Sequence, residues 1–214
     1  MDNNSKYVRN LEEMVRNFLK PIKNITFNVV IRALTNCEIL CFDKHKDADM
    51  LELLKNSAKE AGYKAAEMGI EADRPNEAGN RIEPFVVDAL RRSGFNADIP
   101  VTKKGKRKSS GYPDIEIYHG KGWHAYIDCK TYAQKSKKSS FRAFYFSPSD
   151  EPKITRDSVH LVLSYRLEKR DNKYYPVHWH LCDLSELTGQ IKHEFNASNE
   201  VLYSDKLVID EGII

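Results

Sequence analysis

Two short apolar segments joined by a glycine turn constrain the fold of this chain most strongly. Residues 114–118 read Asp-Ile-Glu-Ile-Tyr, residues 123–129 read Trp-His-Ala-Tyr-Ile-Asp-Cys, and His-Gly-Lys-Gly lies between them. Isoleucine, tyrosine and tryptophan favour strands, and two glycines in so short a connection favour a hairpin. The sequence therefore predicts two adjacent antiparallel strands.

The first 75 residues are mostly helical in pattern. Apolar side chains recur at helical spacing from Tyr7 to Leu19, and Pro21 ends that pattern. A second helix is predicted from Ala48 to Met68, while residues 25–34 are compatible with either a strand or a buried helix. We expect residues 1–75 to form a helical region that serves dimerisation or DNA recognition, either within the main domain or as a subdomain.

Residues 76–214 carry the remaining elements. A helical apolar stripe runs from Ile82 to Leu90, with Pro84 inside it and Gly94 as a C-terminal cap. Two further strands are predicted at residues 159–167 and 174–182, and Asp183 is predicted to cap a helix that starts near Leu184. This order indicates an α/β (α+β) fold with a mixed central sheet flanked by helices.

Composition limits the class of protein. The chain has 214 residues, of which 41% are hydrophobic and 30% charged, which suits a globular domain. No segment approaches the roughly 18 apolar residues that span a bilayer, and residues 1–6 lack the apolar core of a signal peptide. We therefore expect a cytoplasmic protein without a membrane partner. The four cysteines form no Cys-x-x-Cys pair and are predicted to be free thiols.

The hairpin brings acidic side chains together. Asp128 and Lys130 point to the same face because alternate strand residues share a face, and Asp114 begins the neighbouring strand. Two close carboxylates repel each other unless one is protonated or a cation lies between them. Mg²⁺ prefers oxygen ligands, so Asp114, Asp128 and the main-chain carbonyl of Cys129 are candidate ligands. Lys130 would then orient or deprotonate an attacking water, or neutralise charge on a pentavalent phosphate.

A simpler interpretation exists for each residue alone. Asp114 fits an ordinary turn acid after Pro113, and Asp128 with Lys130 fits an exposed ion pair on a hairpin. That interpretation explains the set less well, because a lone acid in the apolar strand around Asp128 is costly without a partner.

These residues carry a family resemblance. Pro113-Asp114 followed by Asp128-Cys129-Lys130 resembles the Pro-Asp…(Asp/Glu)-x-Lys signature of the PD-(D/E)XK nuclease superfamily. The resemblance implies a catalytic set of Asp114, Asp128 and Lys130. It also implies a further carboxylate from the preceding helix, for which Glu83 is preferred and Glu77 is the alternative.

Within that superfamily the chain is most similar to type II restriction endonucleases. The resemblance implies an endonuclease that uses Mg²⁺, with Mn²⁺ as an alternative, to hydrolyse double-stranded DNA as a homodimer. No P-loop or other nucleotide motif is present, so no nucleotide cofactor is expected. A repair or Holliday-junction-resolving nuclease of the same superfamily, and a non-catalytic DNA-binding protein with this fold, remain alternatives.

Basic residues flank the acidic motif although the net charge is only +3. Clustered cations bind polyanions even where the total charge is small, whereas many charge runs are only solvated loops. Because the clusters lie on either side of the motif, we predict DNA contacts for both. The predicted contacts are Lys103, Lys104, Lys106, Arg107, Lys108, Lys135, Lys137, Lys138, Ser139, Ser140 and Arg142.

Overall fold

A computed structural model describes residues 3–73, 75–108, 110–120, 122–133, 144–194, 196–202, 204 and 206–210. The described chain divides into two compact units, one made of Met1–Ile25 with Thr188–Ile214 and the other of Thr26–Leu187. The elements follow in the order α1 (Asn3–Leu19), β1 (Ile22–Thr26), α2 (Phe27–Thr35), β2 (Ile39–Leu40), α3 (Ala48–Met68), β3 (Ile70–Glu71), α4 (Pro75–Arg92), β4 (Asn96–Asp98), β5 (Ile115–His119), β6 (Trp123–Ala133), β7 (Ser158–Arg170), β8 (Lys173–Asp183), β9 (Thr188–Ile191) and α5 (Asn199–Leu202).

A seven-stranded mixed sheet organises the larger unit. Its strand order is β3-β8-β7-β6-β5-β4, and β2 pairs additionally with β7. Strands β6 and β7 run parallel, as do β2 and β7, whereas the other pairs are antiparallel. The predicted fold class, a mixed sheet flanked by helices, is therefore confirmed.

The predicted hairpin is the β5–β6 pair. Ile115 lies opposite Ile127, and the pairing continues to His119 opposite Trp123. Gly120 and Gly122 adopt positive φ angles of 56° and 130°, which side chains with a Cβ rarely adopt. The glycines thus permit the tight connection that fixes the register of the pair.

Each face of the sheet supports its own apolar cluster. Helices α3 and α4 cover one face, where Ile82 and Val86 of α4 pack with Ile127 and Cys129 of β6. The other face packs Tyr126 against Phe27 and further apolar side chains. Alternate residues of β6 therefore enter different clusters, and Cys129 lies in the layer opposite to Tyr126, as the strand period predicts.

The smaller unit contains a second sheet. Strands β1 and β9 pair to form a two-stranded sheet. Phe18 at the end of α1 stacks on His193, with ring centroids 4.3 Å apart.

Three local predictions of secondary structure agree with the structure to different degrees. Residues 25–34 divide between the two predicted structures, because β1 ends at Thr26 and α2 begins at Phe27. Helix α4 continues through Pro84, whose side chain is exposed. The helix predicted from Leu184 is wrong, because Asp183 instead accepts the Ser185 N–H at 3.0 Å in a short turn that leads to β9.

Among the described residues, no helix has both the length and the apolar character needed to cross a membrane.

Candidate active site

Asp114 is tied to β6 immediately before β5 begins. Its backbone N–H donates to the carbonyl of Ile127 at 3.2 Å, and its Oδ2 accepts the N–H of Cys129 at 2.8 Å. These two contacts bracket Asp128 along β6. The structure thus brings Asp114 and Asp128 to the same place on the sheet, as the hairpin geometry predicts.

Asp128 is a buried acid paired with a lysine. Its residue is only 3% exposed, and its Oδ2 lies 2.5 Å from Nζ of Lys130. This oxygen forms an ion pair but accepts no hydrogen bond of regular geometry. The same Lys130 ammonium donates to the carbonyl of Cys129 at 3.3 Å. Lys130 therefore contacts both groups of β6 that the sequence predicts as metal ligands, the Asp128 carboxylate and the Cys129 carbonyl.

Burial governs the protonation of this pair. Desolvation raises the pKa of Asp128 to about 6, and the negative charge of Asp114 adds to that effect. Burial alone would lower the pKa of Lys130, but the carboxylates of Asp128 and Asp114 outweigh it and raise that pKa above its usual value. The lysine therefore remains a cation at neutral pH.

Glu83 joins the acidic cluster from α4. Its pKa is raised to about 7, chiefly by burial and then by the negative charges of Asp114 and Asp128. Glu77, the alternative, is exposed at the start of the same helix, where its Oε2 accepts the Asp73 N–H at 3.2 Å. The electrostatic environment favours Glu83 as the helix carboxylate.

Lys153 is a member of this site that the sequence does not indicate. It is 3% exposed, and its Nζ donates to the carbonyl of Pro113 at 2.6 Å. Burial lowers its pKa, and the carboxylates of Asp114, Glu83 and Asp128 oppose that shift. The residue lies in an irregular segment without periodic pattern, so only its place beside the buried Ile154 hints at burial.

The donor set suits a hard cation. Carboxylates and a main-chain carbonyl are the ligands that Mg²⁺ prefers, and the carboxylate of Asp128 and the carbonyl of Cys129 both face the Lys130 ammonium. In the described part of the chain, no group of three His, Cys, Asp or Glu side chains is arranged so that it could hold a metal ion. Two lysines instead provide the positive charge beside the three carboxylates.

Glu116 has other partners. It shares a strand face with Asp114 by alternation, but its Oε1 accepts hydrogen bonds from the Tyr118 hydroxyl at 2.7 Å and contacts Nε2 of His124 at 2.8 Å. Despite burial, these contacts lower the pKa of Glu116. Its carboxylate is therefore committed to the hairpin.

The first predicted basic segment, residues 103–108, makes polar contacts throughout. Lys104 and Lys106 both approach Glu151, with Nζ–Oε1 distances of 3.1 and 3.7 Å, yet their side chains stay 69% and 68% exposed. The remaining contacts are Lys103 Nζ to the Thr35 carbonyl at 3.3 Å, Arg107 to Asp98 at 2.6 Å and Lys108 Nζ to Ser149 Oγ at 3.4 Å.

The second predicted basic segment falls outside the described residues. Its members are Lys135, Lys137, Lys138, Ser139, Ser140 and Arg142. Their DNA contacts therefore stay a prediction from the sequence.

Comparison with known proteins gives two matches of near full length. A family model described as the type II restriction enzyme MjaV family matches residues 21–206. The type II restriction enzyme MjaV of Methanocaldococcus jannaschii is 42% identical, over 99% of this chain and 98% of the relative. No solved structure matches the chain.

Proposed function

The chain belongs to the type II restriction enzyme MjaV family, and from that premise we propose that it cleaves double-stranded DNA with Mg²⁺ at the Asp114–Asp128–Lys130 cluster. Family membership gives the class of enzyme, a type II site-specific deoxyribonuclease. The proposal adds the catalytic arrangement, which we assign to the PD-(D/E)XK type, and the metal.

One observation carries the assignment. Asp128 is only 3% exposed, its Oδ2 lies 2.5 Å from Nζ of Lys130, and burial together with the charge of Asp114 raises its pKa to about 6. A buried carboxylate beside a second carboxylate is costly in a region that serves only stability. Perturbed acids that cluster with a lysine are instead typical of catalytic sites.

Three carboxylates and one carbonyl would hold the metal. Asp114, Asp128 and the carbonyl of Cys129 supply oxygen ligands from adjacent strands, and Glu83 supplies one from α4. When bound, Mg²⁺, or Mn²⁺ in its place, polarises the scissile phosphate and makes water a stronger nucleophile. Lys130 contacts two of these proposed ligand groups, the Asp128 carboxylate and the Cys129 carbonyl, and would share them with the metal.

Lys130 serves as a cation. Its pKa is raised by Asp128 and Asp114, so it is a poor base at neutral pH. Of the two roles that its position allows, neutralising the charge that develops on phosphorus during in-line attack therefore fits better than deprotonating water. Its side chain is 34% exposed, so the ammonium is accessible from the solvent side.

The partners follow from the substrate. We propose a homodimer, because a two-fold axis in the protein would match a palindromic DNA site. The exposed cations of residues 103–108 would contact the DNA backbone. Phosphate contacts of this kind position a protein on DNA without reading the DNA sequence.

A plasmid digest tests the proposal. Incubation with Mg²⁺ should give discrete fragments, and chelation of the metal should leave the plasmid intact. Asp114→Ala should abolish cutting, and Lys130→Met should slow it by about 10²–10³-fold because a transition-state cation is lost. Lys173→Met is the matched control, since that lysine pairs with Glu71 at 3.6 Å outside the cluster. Intact plasmid with a folded wild-type enzyme, or full activity of Lys130→Met, would contradict the proposed site.

A further inference from the structure

Lys153 is a buried lysine that the proposed reaction does not use. Only 3% of the residue is exposed. A buried ammonium is costly unless it is hydrogen-bonded and near negative charge. Its hydrogen-bond acceptor is a neutral group, the carbonyl of Pro113, whose oxygen lies 2.6 Å from Nζ.

The compensating charge comes from the acidic cluster. The carboxylates of Asp114, Glu83 and Asp128 are the groups whose negative charge acts on Lys153, in that order. Together with Lys130, two ammonium groups face three carboxylates. With all groups ionised, this leaves one net negative charge in a region of little solvent.

The contact also fixes the backbone that carries Asp114. Pro113 immediately precedes Asp114, whose own N–H and Oδ2 are bonded to β6. Lys153 thus holds the carbonyl of the Pro113–Asp114 peptide, while Ile127 of β6 accepts a hydrogen bond from the N–H of the same peptide.

The segment that carries Lys153 is itself anchored. Ile154 is 1% exposed within the apolar cluster that contains Tyr126. The Thr155 N–H donates to the hydroxyl of Tyr126 at 3.1 Å. The ammonium therefore projects from a fixed backbone, as a positioning group requires.

We propose that Lys153 is the internal counterion of the acidic cluster and the positioning residue for Asp114, stabilising the carboxylates until a divalent cation takes over most of the charge compensation. This role rests on the proposed metal site. It differs from simple packing because it makes the importance of Lys153 depend on whether the metal is bound.

Thermal unfolding with and without metal tests this dependence. Lys153→Met keeps the approximate length and apolar stem but removes the charge and the donor. In EDTA its Tm should fall by about 6–12 °C relative to wild type, because a buried charge cluster loses a partner. In excess Mg²⁺ this deficit should shrink to less than half, since the metal supplies the missing positive charge.

Ile154→Val is the matched control. It trims the neighbouring buried side chain without changing charge, so its Tm deficit should be the same in EDTA and in Mg²⁺. A Lys153→Met deficit that is likewise independent of Mg²⁺ would overturn the counterion role.

Lys153→Arg covers the case in which the Met variant does not fold in either condition. Arginine retains the charge, so this variant should unfold closer to wild type than Lys153→Met does. An Arg variant as unstable as the Met variant would show that shape alone matters and would also overturn the role.

The wild type separates the two proposals. A wild-type Tm that does not respond to Mg²⁺ would reject the proposed metal site itself. A wild-type response combined with a Mg²⁺-independent deficit in Lys153→Met would reject only the role of Lys153.

Discussion

At the scale of single residues, burial changes the protonation of two acids in the site, Asp128 and Glu83. Asp128 and Glu83 both have a raised pKa, each chiefly because of burial and then because of neighbouring carboxylates. The folded protein therefore binds protons at these groups more tightly than the unfolded chain does. If these oxygens hold the proposed metal, protons compete with it, and the metal should bind better as the pH rises.

The raised pKa values give a signed prediction for stability. Glu83 changes from an ordinary 4.5 to about 7 on folding, so its protonated form stabilises the fold below the ordinary value. That contribution is lost as the pH rises through about 7. The Tm advantage of Glu83→Gln over wild type in EDTA should therefore grow between about pH 5 and about pH 8, as scanning calorimetry at a series of pH values can measure.

Glu77→Gln on the same helix is the control for that series. Glu77 is exposed and bonded to the Asp73 N–H, so its neutralisation should not produce a Tm difference that grows over this pH range. A constant or shrinking advantage for Glu83→Gln would show that Glu83 ionises as easily in the folded protein as in the unfolded chain.

Sequence reasoning reaches only part of the site. Asp114, Asp128 and Lys130 could be predicted to meet, because strand alternation and one hairpin turn determine their proximity. Lys153 could not be predicted, because its burial depends on how an irregular segment far along the chain packs against Pro113. Local pattern carries no information on such a contact.

The same contrast appears among the elements. The segments with alternating apolar residues predicted the bounds of β5 to β8 closely, because the two faces of these strands pack into the two apolar clusters. The prediction of a helix after Asp183 is wrong because an aspartate at this position can stabilise either a helix start or a turn. Asp183 Oδ2 accepts the Phe42 N–H at 3.1 Å, a partner distant in sequence, while Oδ1 closes the turn to Ser185. A capping residue therefore marks a chain reversal as readily as a helix start.

The basic segment of residues 103–108 supports a prediction at the same scale. Lys104 and Lys106 lie beside Glu151 but remain mostly exposed, and exposed pairs of this kind contribute little to stability. We expect DNA phosphates to replace Glu151 as their partner. Lys104→Gln with Lys106→Gln should weaken DNA binding and reduce the slope of log K against log salt by about 2.

Fluorescence anisotropy with a DNA duplex in EDTA measures that slope without cleavage. Lys55→Gln is the control, because Lys55 pairs with Glu52 on α3 at 2.6 Å and is not among the individual residues predicted to contact DNA. If the double variant and the control have equal slopes, the lysines stay with Glu151 and make no phosphate contact.

At the scale of the whole molecule, helix α1 points to self-association. Its apolar side chains recur at helical spacing, yet they remain exposed: Tyr7 66%, Val8 46%, Leu11 46%, Met14 67%, Val15 47%, Phe18 64% and Leu19 42%. A contiguous apolar surface of this kind is typical of an interaction site. In a two-fold symmetric dimer the same surface can cover its own copy.

Substitutions on α1 test the dimer directly. Wild type should sediment at twice the chain mass, and Leu11→Glu with Met14→Glu should raise the dissociation constant at least about tenfold, because two charges replace exposed apolar contacts. Arg9→Gln with Arg16→Gln changes the net charge by the same amount on the opposite, polar side of the helix and should leave the dimer intact. Sedimentation velocity distinguishes these outcomes. A wild type that is monomeric at concentrations where it cuts DNA would exclude the symmetric arrangement, and equal weakening by both double variants would exclude α1 as its contact surface.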